Sequence, residues 1–228
     1  MSLSFNFNSL SFIILILFSA AWLVQMFYHW LLFRRLAFYK KKETNTNLEP
    51  VSVIVCAHNA YEYLLDLLPV ALNQDYPEYE LVIVNDCSDD QTEEYLKELA
   101  RNNPKINFVN LTQHLNFFQG KKFPLSMGIK SAKYDLLLLT DADCVPTTDQ
   151  WIKEMVGAYN KDTEIVVAYG PYFERKGLLN KLIRFDTLYI AMQYLSLALA
   201  KKPSMGVGRN LSYRKCTFLK YKGFTSHY

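Results

Sequence analysis

Residues 136–144 read LLLLTDADC, an apolar run that leads directly into two aspartates with one residue between them. Such a run predicts a strand that is buried on both faces of a sheet. Because successive side chains of a strand point to opposite faces, we expect Asp141 and Asp143 to project together. Two carboxylates at the end of a buried strand can hold a hard divalent cation, which can also bind the oxygens of a nucleotide diphosphate. The pattern therefore favours an enzyme that acts on an activated, phosphate-bearing donor.

Further apolar runs predict strands elsewhere in the chain, and segments with leucine at helical spacing separate them. The predicted strands cover residues 51–56, 80–85, 106–111, 135–140 and 164–169. The predicted helices cover residues 61–73, 125–132, 151–159 and 178–200, and another opens with Ser88 and Gln91 as a capping box. Pro69 is expected to kink or interrupt the first of these helices. Alternating strands and helices indicate an α/β fold with a mostly parallel sheet and right-handed crossovers.

Polar side chains follow three of the predicted strands. His58 and Asn59 come after the first strand, Asp86 after the second, and Asp141 with Asp143 after the fourth. Ligands of open α/β sheets bind beyond the carboxyl ends of the strands, so we expect these loops to form one site. Any one of the aspartates could instead form a turn or cap a helix. The interpretation therefore depends on the three loops lying together.

Residues 10–33 contain no Asp, Glu, Lys or Arg, and large apolar side chains dominate them. A hydrocarbon core of about 30 Å is crossed by about 20 apolar residues in a helix, so this segment is long enough to span a membrane. A cleaved signal peptide is the alternative, but residues 1–9 carry no Lys or Arg. The basic cluster Arg34, Arg35 and residues 40–42 follows the apolar run, which places the rest of the chain in the cytoplasm.

The predicted organisation has four parts: an N-terminal tail at residues 1–9, a single transmembrane helix at 10–33, a basic and polar linker at 34–50, and an α/β domain at 51–228. The net charge of +3 gives no sign of a nucleic-acid-binding surface. The four cysteines form no C-x-x-C pair, which favours reduced thiols over a zinc or redox site. The apolar-rich segment 178–200 fits either a helix in the membrane interface or one that completes the core.

Five segments of the chain resemble motifs of the family 2 glycosyltransferases, which are inverting enzymes of the GT-A fold. Residues 51–59 (VSVIVCAHN) are similar to the opening strand of that family, and residues 85–90 (NDCSDD) resemble its D-D-G-S-x-D turn. Residues 120–128 (GKKFPLSMG) resemble its G-K-x-x-A-L-N-x-G segment, and residues 140–143 (TDAD) its D-x-D motif. Residues 206–214 (GVGRNLSYR) resemble a G-x-N-x-x-x-R stretch on the acceptor side. The resemblance implies a GT-A fold, Rossmann-like with flanking helices.

The resemblance also implies roles for individual residues. Asp86 would accept a hydrogen bond from a uracil or guanine base, and Lys121 would place its positive charge near the phosphates or ribose of the donor. Asp141 would face the ribose and the diphosphate, and Asp143 together with Asp141 would ligate Mg²⁺ or Mn²⁺. The other residues that the resemblance assigns are Ala57 and Asn59 to the nucleotide-sugar site, and Arg209 and Asn210 to the acceptor side.

The implied partners are a UDP- or GDP-sugar donor, a glycan, glycolipid or lipid-linked acceptor, and the inner membrane of the cell. The chain departs from the family pattern at four positions. Cys56 replaces Pro, Ala60 replaces Glu, Asn85 replaces the first Asp of the turn, and Ser126 replaces Asn.

Inverting transfer needs a general base, which in this family is a carboxylate soon after a G-G-F-like turn. Residues 223–224 approach that turn, but no acidic residue follows Asp186. We therefore expect a fragment whose catalytic base lies beyond Tyr228, and which binds the donor without transferring the sugar. His227 is the alternative base, although terminal residues are commonly unordered.

Two other functions are alternatives to sugar transfer. A non-catalytic module that binds a nucleotide sugar and assists another transferase would show the same donor-site residues without the base. A dinucleotide-dependent oxidoreductase fits poorly, because no G-x-G-x-x-G follows the first strand.

Overall fold

The computed structural model describes residues 9–40, 48–113 and 120–224. Its strands are β1 (Val51–Ala57), β2 (Tyr79–Asp86), β3 (Ile106–Leu111), β4 (Leu136–Asp141), β5 (Ile165–Val167) and β6 (Leu211–Arg214). Its helices are α1 (Ser9–Ala37), α2 (Tyr61–Leu72), α3 (Thr92–Asn102), α4 (Lys122–Ser131), α5 (Trp151–Gly157), α6 (Leu178–Leu199) and α7 (Lys215–Lys220). Residues 1–8, residues 41–47 of the predicted linker and His227 lie outside the described residues.

The six strands form one sheet in the order β3-β2-β1-β4-β6-β5. The pairs β3–β2, β2–β1 and β1–β4 are parallel, whereas β6 pairs antiparallel with both β4 and β5. The mostly parallel α/β sheet predicted from the sequence is therefore confirmed. The carboxyl ends of β1, β2 and β4 lie at the same edge, because these strands run in the same direction side by side.

The central strands form because they are apolar on both faces, and the two faces pack against different helices. Val53 and Val55 of β1 pack in one cluster with buried side chains of α2, α3 and α5, while Ile54 packs in the other with Ile129 of α4. The alternation follows from the two-residue period of a strand. Burial on both faces explains why these strands read as continuous apolar runs instead of alternating ones.

By its internal contacts the chain divides into two units, Met1–Lys40 with Pro171–Met205, and Lys41–Gly170 with Gly206–Tyr228. The first unit contains α1 and α6, which pack together. His29 of α1 donates from Nδ1 to the Gln25 carbonyl oxygen and accepts at Nε2 from the Tyr189 hydroxyl of α6, each at 2.8 Å. The ring of Phe33 meets Tyr189 edge to face. In this division α6 groups with α1, and the predicted domain boundaries stay a prediction.

Helix α1 is the one helix among the described residues that is long and apolar enough to cross a membrane: its candidate span is Leu10–Ala37, and an 18-residue window within it has a mean hydropathy of 2.3. It continues past the predicted end at residue 33, so Arg34 and Arg35 lie in its last turn. The guanidinium of Arg34 lies 4.8 Å from the centre of the Trp30 ring, a favourable cation–π arrangement.

Three local predictions were wrong. Helix α2 is not interrupted at Pro69, which lies in its last turn and costs the helix one hydrogen bond because it has no N–H to donate. Ser88 does not cap α3: that helix begins at Thr92, whose N–H is bound by the Asp90 carboxylate at 3.0 Å. Strand β6 was missed because its four residues lie within a motif that we assigned to acceptor binding.

Gly128 brings α4 unusually close to the sheet. A Cβ atom at this position would lie 2.8 Å from Ile54 Cγ2 and 2.9 Å from Val84 Cγ2, which is too close for an unshifted contact. Both neighbours are β-branched and buried, so they have little rotamer freedom with which to move away.

We expect Gly128→Ala to lower the free energy of unfolding by about 1–2 kcal/mol, since overpacking outweighs the gain in helix propensity. Chemical unfolding of the full chain followed by circular dichroism measures this change. Lys130→Ala is the matched control on the exposed side of the same helix, and it should alter stability by less than about 0.5 kcal/mol. A Gly128→Ala protein that is as stable as the parent would show that α4 is not held by this close approach.

Candidate nucleotide and metal site

A cleft with a volume of about 160 Å³ lies beyond the carboxyl ends of β1, β2 and β4. The described residues that line it are Cys56, Ala57, His58, Ala60, Tyr63, Asp86, Lys121, Ala142 and Asp143. Four of the predicted site residues, Ala57, Asp86, Lys121 and Asp143, therefore line one cleft. Asn59 is not among the described residues that line it.

Asn59 instead ties the loop after β1 to the loop after β2. Its backbone N–H donates to Ser88 Oγ at 3.0 Å, and its side-chain carbonyl accepts from the Asp89 N–H at 2.9 Å. Asn59 and Cys87 both have positive φ angles, of 48° and 51°. Asn tolerates this left-handed conformation better than most residues, but a cysteine there is unusual. The two loops thus reverse direction sharply and are joined at their tips.

Asp90 forms a second connection between the same loops. Its carboxylate accepts from the N–H groups of Thr92 at the start of α3 and of Tyr61 at the start of α2. Burial works to raise the pKa of Asp90, but these hydrogen bonds lower it overall. Thr92 Oγ1 in turn accepts from the Ala60 N–H at 3.0 Å. Asp90 therefore satisfies donors at two helix starts, where such donors lack partners within the helix.

His58 lies in the cleft beside Asp86. Its Nδ1 is 2.6 Å from the backbone carbonyl oxygen of Asp86, and since a carbonyl only accepts, Nδ1 donates. This hydrogen bond fixes the main chain of Asp86 and leaves the carboxylate at the cleft wall. His58 lies in the region expected from its position after β1, but its contact with the Asp86 main chain could not be predicted from sequence.

Lys121 precedes α4, and its ammonium lies 3.0 Å from Asp141 Oδ1. Burial works to lower the pKa of Lys121, but the hydrogen bond to Asp141 and the charges of Asp141 and Asp143 raise it overall. Both side chains are accessible, with exposed fractions of 66% for Lys121 and 36% for Asp141, so the pair contributes little to stability. The ammonium can therefore turn to another anion at small cost.

Asp141 and Asp143 come together by a route other than the predicted one. Strand β4 ends at Asp141, and a turn follows in which the Cys144 N–H donates to the Asp141 carbonyl oxygen at 3.1 Å. The expectation that both aspartates project from one face of a strand was therefore wrong. The turn nevertheless places ligand atoms of Asp141, Asp143 and Cys144 within 4.8 Å of one another.

The thiols around this site are partly buried. Burial raises the pKa of the Cys56 thiol to about 12, against the opposing charge of Lys121. Burial and the carboxylates of Asp143 and Asp141 raise the pKa of the Cys144 thiol to about 11, while the charge of Arg209 opposes them. Both thiols are thus protonated in the neutral range unless a cation displaces the proton.

The two residues predicted for the acceptor side lie in a short 3₁₀ turn, Gly208–Asn210, that leads into β6. The Asn210 side chain accepts from Trp151 Nε1 at 3.1 Å and donates to the Tyr169 carbonyl oxygen at 3.2 Å. The Arg209 side chain lies against Gly170. The contacts of Asn210 are structural, and the role of both residues towards an acceptor stays a prediction.

Sequence reasoning missed four cleft-lining residues, Cys56, Ala60, Tyr63 and Ala142, together with Cys144 beside the two aspartates. Tyr63 lies within the helix predicted over residues 61–73, but nothing in the sequence indicates that it faces the cleft. Cys144 directly follows the aspartate pair in the sequence, but the turn that brings its sulfur close to the two carboxylates was not predicted.

A mostly parallel sheet, with polar loops after β1 and acidic ones after β2 and β4 gathered at one edge, is typical of the GT-A glycosyltransferase fold. A mannosyltransferase from Pyrobaculum calidifontis, solved with GDP-Man and Mn²⁺, has this fold with a TM-score of 0.70 at 19% identity, covering 93% of this chain and 58% of that one. The Staphylococcus aureus TarS 1–349 structure with UDP-GlcNAc aligns with a TM-score of 0.51 at 19% identity, covering 76% of this chain and 47% of that one.

The sequence model for glycosyl transferase family 2 matches residues 52–218, and the chain belongs to that family. Poly-β-1,6-N-acetyl-D-glucosamine synthase of Staphylococcus epidermidis is 33% identical over 135 residues, which are 58% of this chain and 31% of the relative. An uncharacterized glycosyltransferase of Haemophilus influenzae is 30% identical over 128 residues, which are 56% of this chain and 38% of the relative. The matched region therefore spans only about a third of the length of these curated relatives.

Proposed function

We propose that the protein takes part in metal-dependent, inverting transfer of a sugar from a UDP- or GDP-sugar to a glycan, glycolipid or lipid-linked acceptor at the cytoplasmic face of a membrane. The observation that carries the proposal is the single cleft in which Asp86, Lys121 and Asp143 meet, with Asp141 joined to Lys121. Membership of family 2 and the relatives that act in polysaccharide synthesis support the same reaction class.

Asp86 is suited to recognise the nucleotide base. An ionised carboxylate only accepts hydrogen bonds, and the imide N–H of uracil and the N–H groups of guanine are donors. The hydrogen bond from His58 to the Asp86 main chain holds the residue at the cleft wall. A preorganised acceptor of this kind loses little conformational entropy on binding.

Asp141 and Asp143 fit a hard divalent cation, because carboxylate oxygens are the ligands that Mg²⁺ and Mn²⁺ prefer. These two side chains would hold the cation, and Lys121 would release Asp141 and turn to the diphosphate. A cation bound there would stabilise the negative charge that develops on the departing nucleoside diphosphate. The acceptor hydroxyl would attack the anomeric carbon from the opposite side, and its proton would pass to a general base whose position stays a prediction.

Removing the metal ligand tests the proposal. We expect the full chain to bind UDP or GDP in the presence of Mn²⁺ or Mg²⁺ and to lose that binding in a chelator, whereas Asp143→Ala should bind weakly whether or not the cation is present. Isothermal titration calorimetry measures both. Asp162→Ala, an exposed carboxylate elsewhere in the same unit, is the control and should behave like the parent. Equal nucleotide affinity of the parent with and without a chelator would contradict the metal role.

A comparison of two aspartates in one loop tests base recognition. We expect Asp86→Asn to weaken UDP or GDP binding on the order of tenfold or more, since a hydrogen bond to a charged acceptor is worth about 1.5–3 kcal/mol. Asp89 is exposed three residues away and does not line the cleft, so Asp89→Asn should stay within about twofold of the parent. If the two variants lose the same affinity, the effect is one of loop charge and not of contact with the base.

The membrane part of the proposal rests on the first unit. Residues 10–33 of helix α1 carry no Asp, Glu, Lys or Arg, and Arg34 and Arg35 follow in its last turn, an arrangement typical of a span with its carboxyl end in the cytoplasm. Helix α6 packs against α1 through Tyr189 and exposes apolar side chains such as Leu179 and Phe185. These exposed side chains favour contact with the membrane interface over completion of a core.

Labelling of a native cysteine tests the orientation. Cys216 is exposed and lies at the start of α7. We expect a membrane-impermeant maleimide to modify Cys216 in lysed cells and not in intact cells, with mass spectrometry assigning the site. Cys216→Ser gives the background. Equal labelling of Cys216 in intact cells would place the sheet unit outside and contradict the cytoplasmic assignment.

A further inference from the structure

Cys144 lies next to the two aspartates of the cation site and has no role in the proposal above. It follows Asp143 directly, and its N–H closes the turn onto the Asp141 carbonyl oxygen at 3.1 Å. Its sulfur lies 3.5 Å from Asp143 Oδ1. Donor atoms of Asp141, Asp143 and Cys144 all lie within 4.8 Å of one another. The turn therefore presents one soft donor and two hard donors to the same point.

We propose that Cys144 is a third ligand of the cation held by Asp141 and Asp143, and that it makes the site prefer thiophilic divalent cations such as Cd²⁺ or Zn²⁺ to Mg²⁺. The inference rests on the proposed function, because it extends the metal site that the function requires. Thiolate sulfur selects soft and borderline cations, whereas carboxylate and water ligands suit Mg²⁺. A site with both kinds of donor accepts both kinds of cation with unequal affinity.

The geometry suits this assignment. Oxygen ligands lie about 2.0–2.1 Å from Mg²⁺ and thiolate sulfur about 2.3 Å from Zn²⁺, so two ligands on opposite sides of one cation are separated by about 4.2–4.5 Å. The donor atoms here, within 4.8 Å, need to move only slightly to reach such positions. Cys144 is half-buried and Asp143 is exposed, so water completes the coordination on the open side.

Binding of a thiophilic cation requires that the Cys144 thiol loses its proton to solvent, with the sulfur lone pair forming the new bond to the metal. Hard Mg²⁺ does not displace that proton, so it would be held by the two carboxylates and water. The charged groups that act on Cys144 are Asp143, Asp141 and Arg209. The two carboxylates draw in the cation, while Arg209 opposes it.

Cadmium binding to the full chain in detergent tests the inference. We expect Cys144→Ser to lose the ultraviolet thiolate-to-cadmium band and to weaken Cd²⁺ binding, measured by calorimetry, on the order of tenfold or more. Mg²⁺ affinity should change by less than about twofold, since Mg²⁺ has little affinity for sulfur. Cys144→Ala should give the same result, and circular dichroism verifies that both variants fold.

Cys216→Ser is the matched control, because Cys216 also lies beside a carboxylate, 3.6 Å from Asp135 Oδ2, but beside only one. It should keep the cadmium band and the affinity of the parent. Retention of both in Cys144→Ser would overturn the thiol role. Mn²⁺ binding followed by electron paramagnetic resonance separates the two levels: if the parent binds no Mn²⁺, the metal site itself fails, and if the parent binds Mn²⁺ but Cys144→Ser keeps the cadmium band and affinity of the parent, only the role of Cys144 fails.

Discussion

The register of three parallel strands is the constraint on which the site depends. Ala57 at the end of β1 pairs with Asn85 of β2, and Cys56 pairs with Asp141 at the end of β4. Asp86 therefore lies one residue beyond the last position at which β2 pairs with β1, and Asp141 lies at the last position at which β4 pairs with β1. A slip of one residue would exchange the faces of a whole strand, and because both faces are buried against helices, such a slip would disrupt two packed clusters at once. The core thus fixes the positions of the carboxylates.

Besides the strand register, hydrogen bonds between the loops position the residues of the site. Loops at the end of a sheet are usually its most mobile part, and a binding site made only of loop residues would lose entropy when a ligand orders it. Here the Asn59 side chain joins the loop after β1 to the loop before α3, and the Asp90 side chain joins that second loop to the start of α2. Two further bonds join these segments, since Ser88 Oγ accepts from the Asn59 N–H and Thr92 Oγ1 accepts from the Ala60 N–H. The cleft wall is thereby held without any ligand.

The sheet could be predicted from the sequence because a strand buried on both faces is a continuous apolar run, which can be recognised without knowing the strands beside it. β3 was placed at the residues where the structure has it, and β1, β2 and β4 to within one residue at each end. Strand β6, which lies between β4 and β5, carries no such signal, since it has four residues and only one is buried. The loops were harder still, because Ser88 has the spacing of a helix cap yet binds a strand-end loop that is distant in sequence. Nothing local could reveal that contact.

The charges of the cleft limit what can bind there. Asp86 and Asp143 line the cleft and Asp141 lies beside Lys121, which makes three carboxylates, and Lys121 supplies one ammonium that is already paired with Asp141. A nucleoside diphosphate is itself anionic, so it would meet more negative than positive charge in a cleft that water only partly screens. A divalent cation held by Asp141 and Asp143 would offset this negative charge near the phosphates, and Lys121 would then be free to contact them. Phosphate binding and cation binding are therefore expected to be coupled in this protein, since neither carboxylates without a cation nor a single lysine would hold the diphosphate.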